Sequence, residues 1–391
     1  MSMTEPVPSR PAATAPAAVP DPGPEAIAHS ERLLAAVGQQ IRACGGWIGF
    51  DRYMQRVLYE PGLGYYAVEP VKIGPHGDFV TAPEISPLFA RALAAQVAQA
   101  FTWLPHQLLE FGAGSGALAG DLTLELARLG CAPQSYRIVE VSPELQRAQQ
   151  ARLQDPRFQW LSSPPHDFEG VMIANEVLDV MPVKLFVKRE GQTLERGVSM
   201  DRGALQWSER PASDELADAV ARIETGHGPL PDGYGSEVGL IARAWSTTLG
   251  EWLRRGIALL IDYGFPRHEY YHPQRTMGTV MCHYRHRAHA DPLWLPGLND
   301  ITAHVDFSAI AEAARCGGLQ VLGYTSQARF LINCGLLDLL AGQTSAARSA
   351  QAMRLLSEAE MGELLKVLAV GRDVAGALRG FRDGDRSHRL A

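Results

Sequence analysis

Between Gln107 and Gly120 the chain reads QLLEFGAGSGALAG. An apolar run, Leu108, Leu109 and Phe111, breaks into Gly112-Ala-Gly114-Ser-Gly116, and a helix-compatible segment from Ala117 to Leu129 follows. That order predicts a strand, a glycine turn and a helix. Glycine permits the tight turn and a close approach of backbone to a ligand, while the helix start offers free N–H groups. The G-x-G-x-G spacing alone also fits a purely structural turn, so the surroundings decide.

Those surroundings continue the alternation. Tyr136 to Val141 is expected as a second strand and Pro143 to Leu153 as its helix, with proline in the first turn. Phe158 to Trp160 and Gly170 to Ala174 follow as strands, as do Gly256 to Asp262, Leu319 to Tyr324 and Leu364 to Val370, with a helix at Phe307 to Cys316. Alternating strands and helices imply an α/β fold with a mostly parallel sheet covered on both faces. Before the glycine strand, residues 28–106 are expected as a helical cap: helices at Ser30 to Cys44, Arg52 to Leu58 and Ile85 to Phe101, and a Gly- and Pro-rich loop from Ile73 to Glu84. Residues 183–235 alternate like antiparallel strands and are read as an insertion that could bind substrate or a partner; 107–182 and 236–375 form the core, and 376–391 a C-terminal tail. Within the core, Ser236 to Arg255 is expected as one long helix.

Composition narrows the function classes. The 391 residues are 46% hydrophobic and 20% charged, as in ordinary globular chains, and the net charge of −7 offers no basic field for nucleic acid. Five scattered cysteines lack C-x-x-C spacing, which argues for reduced thiols. No apolar run reaches the roughly 18 residues that span a bilayer. Residues 1–27, rich in Pro and Ala, read as a disordered tail. It holds one arginine, Arg10, beside Glu5, Asp21 and Glu25, unlike a transit peptide, so a cytoplasmic location is expected.

The chemistry is read from strand ends. An acidic residue closing the second strand, Glu140, suits ribose hydroxyls when a glycine turn holds the rest of a nucleoside. A dinucleotide and S-adenosylmethionine both satisfy that pair. Three features favour the latter: the G-x-G-x-G spacing; Glu110 just before the glycines, repelling a pyrophosphate but suiting a cationic amino-acid end; and Asn175-Glu176 directly after the fourth strand. Asn175, Glu176 and Asp179 then cluster beside the ligand, and Asp262 at the end of the buried strand is expected to add a carboxylate to the same rim. Methyl transfer from a sulfonium needs positioning and electrostatics, and carboxylates pair naturally with a planar guanidinium nucleophile. Cys282-His283-Tyr-Arg-His286-Arg-Ala-His289 has spacing unsuited to a metal and is read as a basic loop; with His304 it could back the active site.

Taken in order, Gly77-Asp-Phe-Val-Thr-Ala-Pro-Glu-Ile-Ser86, Glu110 to Gly116, Ile138 to Ser142, Ala174 to Asp179 with Pro182, Asp262-Tyr-Gly264 and Asp300-Ile-Thr-Ala-His-Val-Asp-Phe307 resemble the MidA/NDUFAF-seven-type methyltransferases. These are class I SAM-dependent enzymes related to a mitochondrial complex I assembly factor that methylates an arginine of a complex I subunit. The resemblance covers about residues 30–375 and implies a Rossmann-like seven-stranded sheet with an antiparallel last strand. It implies that SAM is held by Gly112, Gly114, Gly116 and Glu140, with Glu110, Ser142 and Asn175, and that Thr81, Pro83, Glu84 and Ser86 close over it. Glu176, Asp179, Asp262 and His304 are the expected catalytic set. Ala82, Pro87 and Ala113 depart from the family pattern, which leaves open whether the protein substrate is shared. The expected function is methyl transfer to an arginine of a protein, a respiratory complex I subunit by resemblance, with a homodimer left open. Alternatives are a small-molecule methyltransferase, a non-catalytic assembly factor retaining a SAM site and, more distantly, a dinucleotide oxidoreductase.

Overall fold

The computed structural model describes residues 19–68, 80–341, 346–358 and 360–391. Strands whose side chains are apolar on both faces must be covered on both faces, and the middle of this chain is built from them. We label the central strands β1 (Gln107–Phe111), β2 (Ser135–Val139), β3 (Phe158–Leu161), β4 (Phe168–Asn175), β5 (Leu253–Phe265), β6 (Gln320–Ser326) and β7 (Leu365–Arg372). Their order is β6-β7-β5-β4-β1-β2-β3. All neighbours from β5 to β3 are parallel, while β7 runs antiparallel to both β5 and β6. This is the seven-stranded class I arrangement that the resemblance implied.

Alternate residues face opposite ways. Leu108, Val171, Ile173, Ile257, Leu259 and Ile261 join one apolar cluster with Leu93 and Leu122 from the helices Pro87–Ala100 and Ala117–Arg128. Leu109, Met172, Ala258 and Leu260 join the other, against Leu249 and Ile310 from the helices Leu240–Trp252 and Phe307–Cys316. Chain order reverses at β1, whose neighbours are β2 on one side and β4 on the other. Ligand crevices in such sheets open there, beyond the carboxyl ends of the strands.

A second sheet joins the cap to the insertion. Strand Trp47–Gly49 pairs with Gln192–Asp201, which pairs with Lys184–Arg189 and Ala204–Pro211. At Gly197 a Cβ would lie 2.2 Å from Ile48 O and 2.5 Å from the Trp47 ring, so this crossing requires glycine. The Gly235–Val238 segment closes this sheet against Lys184–Arg189, which corrects the expected helix from Ser236: the helix starts only at Leu240, and Leu253 already belongs to β5. Strand pairing outweighs the local helical pattern.

Four further expectations change. The helix expected over Ile85 to Phe101 is split at Ser86 (φ −162°, ψ 137°) into Ala82–Ile85 and Pro87–Ala100, because Pro87 disfavours helical backbone before it; Ser86 caps the second piece through Leu88 N. The tail expected through residue 27 gives way to a helix, Pro24–Ala43; residues 1–18 lie outside the described residues. The basic loop is a hairpin, Met281–Tyr284 with Arg287–His289, extended by Asp300–Thr302. Residues 376–391 are packed rather than loose: Leu378, Phe381 and Leu390 are buried, and Asn333 Nδ2 donates to Gly380 O and Asp383 O. Among the described residues no helix is long and apolar enough to cross a membrane.

Candidate active site

The turn after β1 has the left-handed backbone that its glycines allow, with φ of +61° at Gly112, +54° at Gly114 and +80° at Gly116. Gly112 and Gly114 line a cavity of about 1100 Å³ at the carboxyl edge of the sheet. Gly116 does not: it precedes the helix Ala117–Arg128, and a Cβ there would press on Leu153 at 3.2 Å. Its place in this structure is helix packing, off the cavity lining.

Glu140 lies close to this turn, and one side chain ties the two together. Gln149 Nε2, from the helix Pro143–Arg152, is 2.9 Å from both Gly114 O and Glu140 Oε2, while Gln149 Oε1 accepts from Trp160 Nε1 at 2.9 Å. Glu140 Oε1 accepts from Ser142 N at 2.9 Å. The pair expected to grip a nucleoside is thus one braced unit, and burial holds the Glu140 carboxyl above its ordinary range. Glu110 also lines the cavity. Its Oε2 accepts from Tyr136 Oη at 2.7 Å, and burial pushes its pKa up to about 7 against the pull of that bond.

Adjoining the glycines is the corner after β4, where Val177 Cγ2 would lie 3.1 Å from a Cβ at Gly112. Glu176 adopts a left-handed φ of +54°, a strained backbone for a non-glycine residue. Its Oε1 accepts from Ala82 N and Asn175 Nδ2, both at 3.2 Å, and burial pushes its pKa to about 8. Asp179 is 5% exposed, and burial, reinforced by Asp262, Glu176 and Asp300, holds its carboxyl well above normal. Asp262 corrects the sequence reading. It does not line the cavity but lies beneath it, fully buried, with Oδ2 accepting from the backbone N–H groups of Val177, Leu178 and Asp179 at 2.8–3.2 Å and Oδ1 from Tyr263 N. Its oxygens are taken up in shaping the corner.

His304 lines the cavity between the rings of Tyr263 (6.2 Å) and Phe265 (5.3 Å). Burial first, then Arg275 and Lys366, lower its pKa to about 4, so at neutral pH the imidazole is uncharged. Its backbone is fixed by a network the sequence did not reveal: Glu237 Oε1 accepts from Tyr270 Oη, Thr279 N and Thr279 Oγ1, Thr279 Oγ1 accepts from His304 N, and Tyr270 Oη reaches His304 O.

The N-terminal cap closes the site. Thr81, Pro83 and Glu84 line the cavity; Glu84 accepts from Ser115 Oγ in the glycine turn. Ser86 instead is buried as the cap of its helix, off the cavity lining. The Gly77-Asp-Phe79 part of the motif lies outside the described residues. Ser142 Oγ donates to Tyr66 O at 2.6 Å, and Tyr66 Oη donates to Asp300 Oδ1 at 2.8 Å. Neither Gln149, Tyr66 nor Asp300 was expected as a site residue, although Asp300 opens one of the motifs.

Three buried acceptors on the cavity wall, Asn175 Oδ1, Asp179 Oδ1 and His304 Nδ1, have no hydrogen-bond partner among the described residues. Buried polar atoms are rarely left so, and these point to a donor-rich ligand. Glycine turn, braced ribose acid and adjoining carboxylates fit S-adenosylmethionine. No group of His, Cys, Asp or Glu among the described residues is arranged to hold a metal ion.

Residues 92–325 match a protein family described as "Putative S-adenosyl-L-methionine-dependent methyltransferase". The chain is 31% identical over 352 residues to the Drosophila melanogaster protein arginine methyltransferase NDUFAF7 homolog, mitochondrial, covering 80% of this chain and 78% of that protein. It is 30% identical to the mitochondrial protein arginine methyltransferase NDUFAF7 of Homo sapiens, covering 74% and 70%. A Burkholderia thailandensis structure bound to S-adenosyl-homocysteine superposes with a TM-score of 0.90 at 50% identity, covering 95% of this chain and all of that one. The mitochondrial location of the named relatives corrects the cytoplasmic expectation, which rested on a scarcity of arginine in the tail, a compositional argument with no structural support.

Proposed function

We propose that this chain, which belongs to that S-adenosylmethionine-dependent methyltransferase family, methylates an arginine guanidinium of a protein, a respiratory complex I subunit being the substrate its resemblance favours. The observation that carries the reading is the pair of unpartnered buried atoms, Asp179 Oδ1 and His304 Nδ1, in the cavity that Glu176 also lines. A guanidinium offers five N–H donors and no acceptor, which matches such a wall.

Gly112, Gly114, Glu140 and Ser142 would hold the nucleoside, and Glu110 and Asn175 would meet the amino-acid end. Bound there, S-adenosylmethionine supplies an electrophilic methyl group. The protein's own work is to orient a nitrogen towards that position and to exclude water, for which the cap and the buried corner are suited. Asp179 and Glu176, ionised once the arriving guanidinium displaces their protons to solvent, would bind it through paired hydrogen bonds, and one of the two would take up the single proton that the methylated nitrogen sheds. Neutral His304, as its Nε2–H tautomer, would accept a hydrogen bond through Nδ1 without adding a repelling charge.

The test is incubation with methyl-labelled S-adenosylmethionine in a lysate lacking this protein, followed by mass spectrometry. A methylated arginine in a protein, lost with Glu176→Gln/Asp179→Asn, is expected. Label confined to a small molecule, or none with folded protein, refutes the reading.

A further inference from the structure

The cavity has a second wall, from the cap and the small three-stranded sheet. Tyr59 and Tyr66 line it with their rings stacked, centroids 5.6 Å apart and planes at 21°. Tyr59 Oη is anchored to Val180 O at 2.9 Å and Tyr66 Oη to Asp300 Oδ1 at 2.8 Å. Asp300, 3% exposed, also lines the cavity. Ala303 N, just beyond the strand Asp300–Thr302, donates to Asp179 O at 2.9 Å, so the two carboxylates sit on adjoining segments. Asp179 is more than nine-tenths buried and brings the unpartnered Oδ1 to the same cavity.

We propose that Asp300, held in place by Tyr66, forms with Asp179 and the Tyr59–Tyr66 pair a seat that selects a planar guanidinium over an ammonium. The inference rests on the arginine reading above and adds its specificity. Carboxylates alone would attract lysine as well. Flat aromatic faces beside them favour a flat, weakly hydrated cation that can stack and bond in its plane at once. Tyr66 also links this seat to the cofactor side, since its carbonyl accepts from Ser142 Oγ while its hydroxyl holds Asp300. Tyr66 is thus a positioning residue; Asp300 touches substrate.

The experiment is calorimetric titration of the full chain saturated with S-adenosyl-homocysteine, using N-acetyl-arginine amide, N-acetyl-lysine amide and N-acetyl-citrulline amide at millimolar concentration. The arginine amide should bind at least about tenfold more tightly than the lysine amide, and the uncharged citrulline amide should give no heat. Asp300→Asn should weaken the arginine amide about tenfold or more, and Tyr66→Phe should narrow the arginine-to-lysine ratio, each with affinity for S-adenosyl-homocysteine retained as proof of folding. Equal binding of arginine and lysine amides, no binding of the arginine amide, or an Asp300→Asn protein indistinguishable from wild type overturns the proposal. Failure of the wild type to bind S-adenosyl-homocysteine would instead strike at the methyl-transfer reading itself.

Discussion

Gln149→Ala removes the side chain on which the cofactor half of the site is braced. Fully buried Gln149 makes three hydrogen bonds of 2.9 Å, to Gly114 O, Glu140 Oε2 and Trp160 Nε1. Two are neutral and worth about 1 kcal/mol each, while the one to a carboxylate is worth roughly 1.5–3, so the fold should lose about 3–5 kcal/mol in urea denaturation. Glu140 keeps its bond to Ser142 N but loses the tie to the turn, and the affinity for S-adenosyl-homocysteine should fall about tenfold, equivalent to about 1.4 kcal/mol, by calorimetry below the unfolding transition. Gln149→Glu preserves size but sets a second carboxylate against Glu140. Binding should fail at pH 8 and partly return near pH 5.5, where a protonated carboxyl can again donate. Loss of stability with unchanged affinity in both variants would mean that the nucleoside does not lie between Glu140 and the glycine turn.

Two further outcomes are expected. The pKa of Glu176 is raised to about 8, and those of Asp262 and Glu110 to about 7, so the folded ligand-free protein holds protons that the unfolded chain has shed; stability from these groups is full below about pH 4 and drains away as pH rises through 7 and 8. Between pH 6.5 and 8.5 Glu176 alone should cost on the order of 2 kcal/mol, and Glu176→Gln should flatten that slope in denaturant titrations. His304, whose pKa is lowered, acts oppositely but only below its ordinary value of 6.5, so stability climbing across this window would contradict the assignment. Glu237→Ala strands the donors of Thr279, leaves Tyr270 Oη only His304 O, and should destabilise by about 3 kcal/mol or more, whereas Glu237→Gln, which keeps an acceptor, should cost far less; equal losses in thermal melts would show that the network does not depend on that acceptor.

The core of the fold was legible because its signal is local. A strand buried on both faces is an apolar run, a helix beside it has a 3.6-residue period, and a glycine turn between them is unmistakable in context. Glu140 and the Asn175 to Asp179 corner were legible because doubly wound sheets place ligands at strand ends. What escaped notice depends on contacts remote in sequence. Nothing in the polar helix Pro143–Arg152 distinguishes Gln149 from Gln146 or Gln150; only its meeting with Gly114, Glu140 and Trp160 does. Glu237 lay inside a stretch with helical spacing, and only pairing with Lys184–Arg189 makes it a strand. Asp262 was read as ending its strand and facing the cavity, whereas the strand runs on to Phe265 and four backbone N–H groups occupy its oxygens.

Asp262 also shows how the corner tolerates so many carboxylates. Burying Glu176, Asp179, Asp262, Glu110 and Glu140 in one region opposes folding if all are ionised, and protonation is the relief available to a protein without a cation in place. At Asp262 backbone donors offset part of that cost, and in doing so they fix the segment that follows the strained turn at Glu176. Asp179 has no such donors at Oδ1. Its ionised form becomes favourable only when donors and positive charge arrive from outside: a neutral ligand leaves it protonated, whereas the guanidinium of the proposed substrate would complete its hydrogen bonds and drive off its proton.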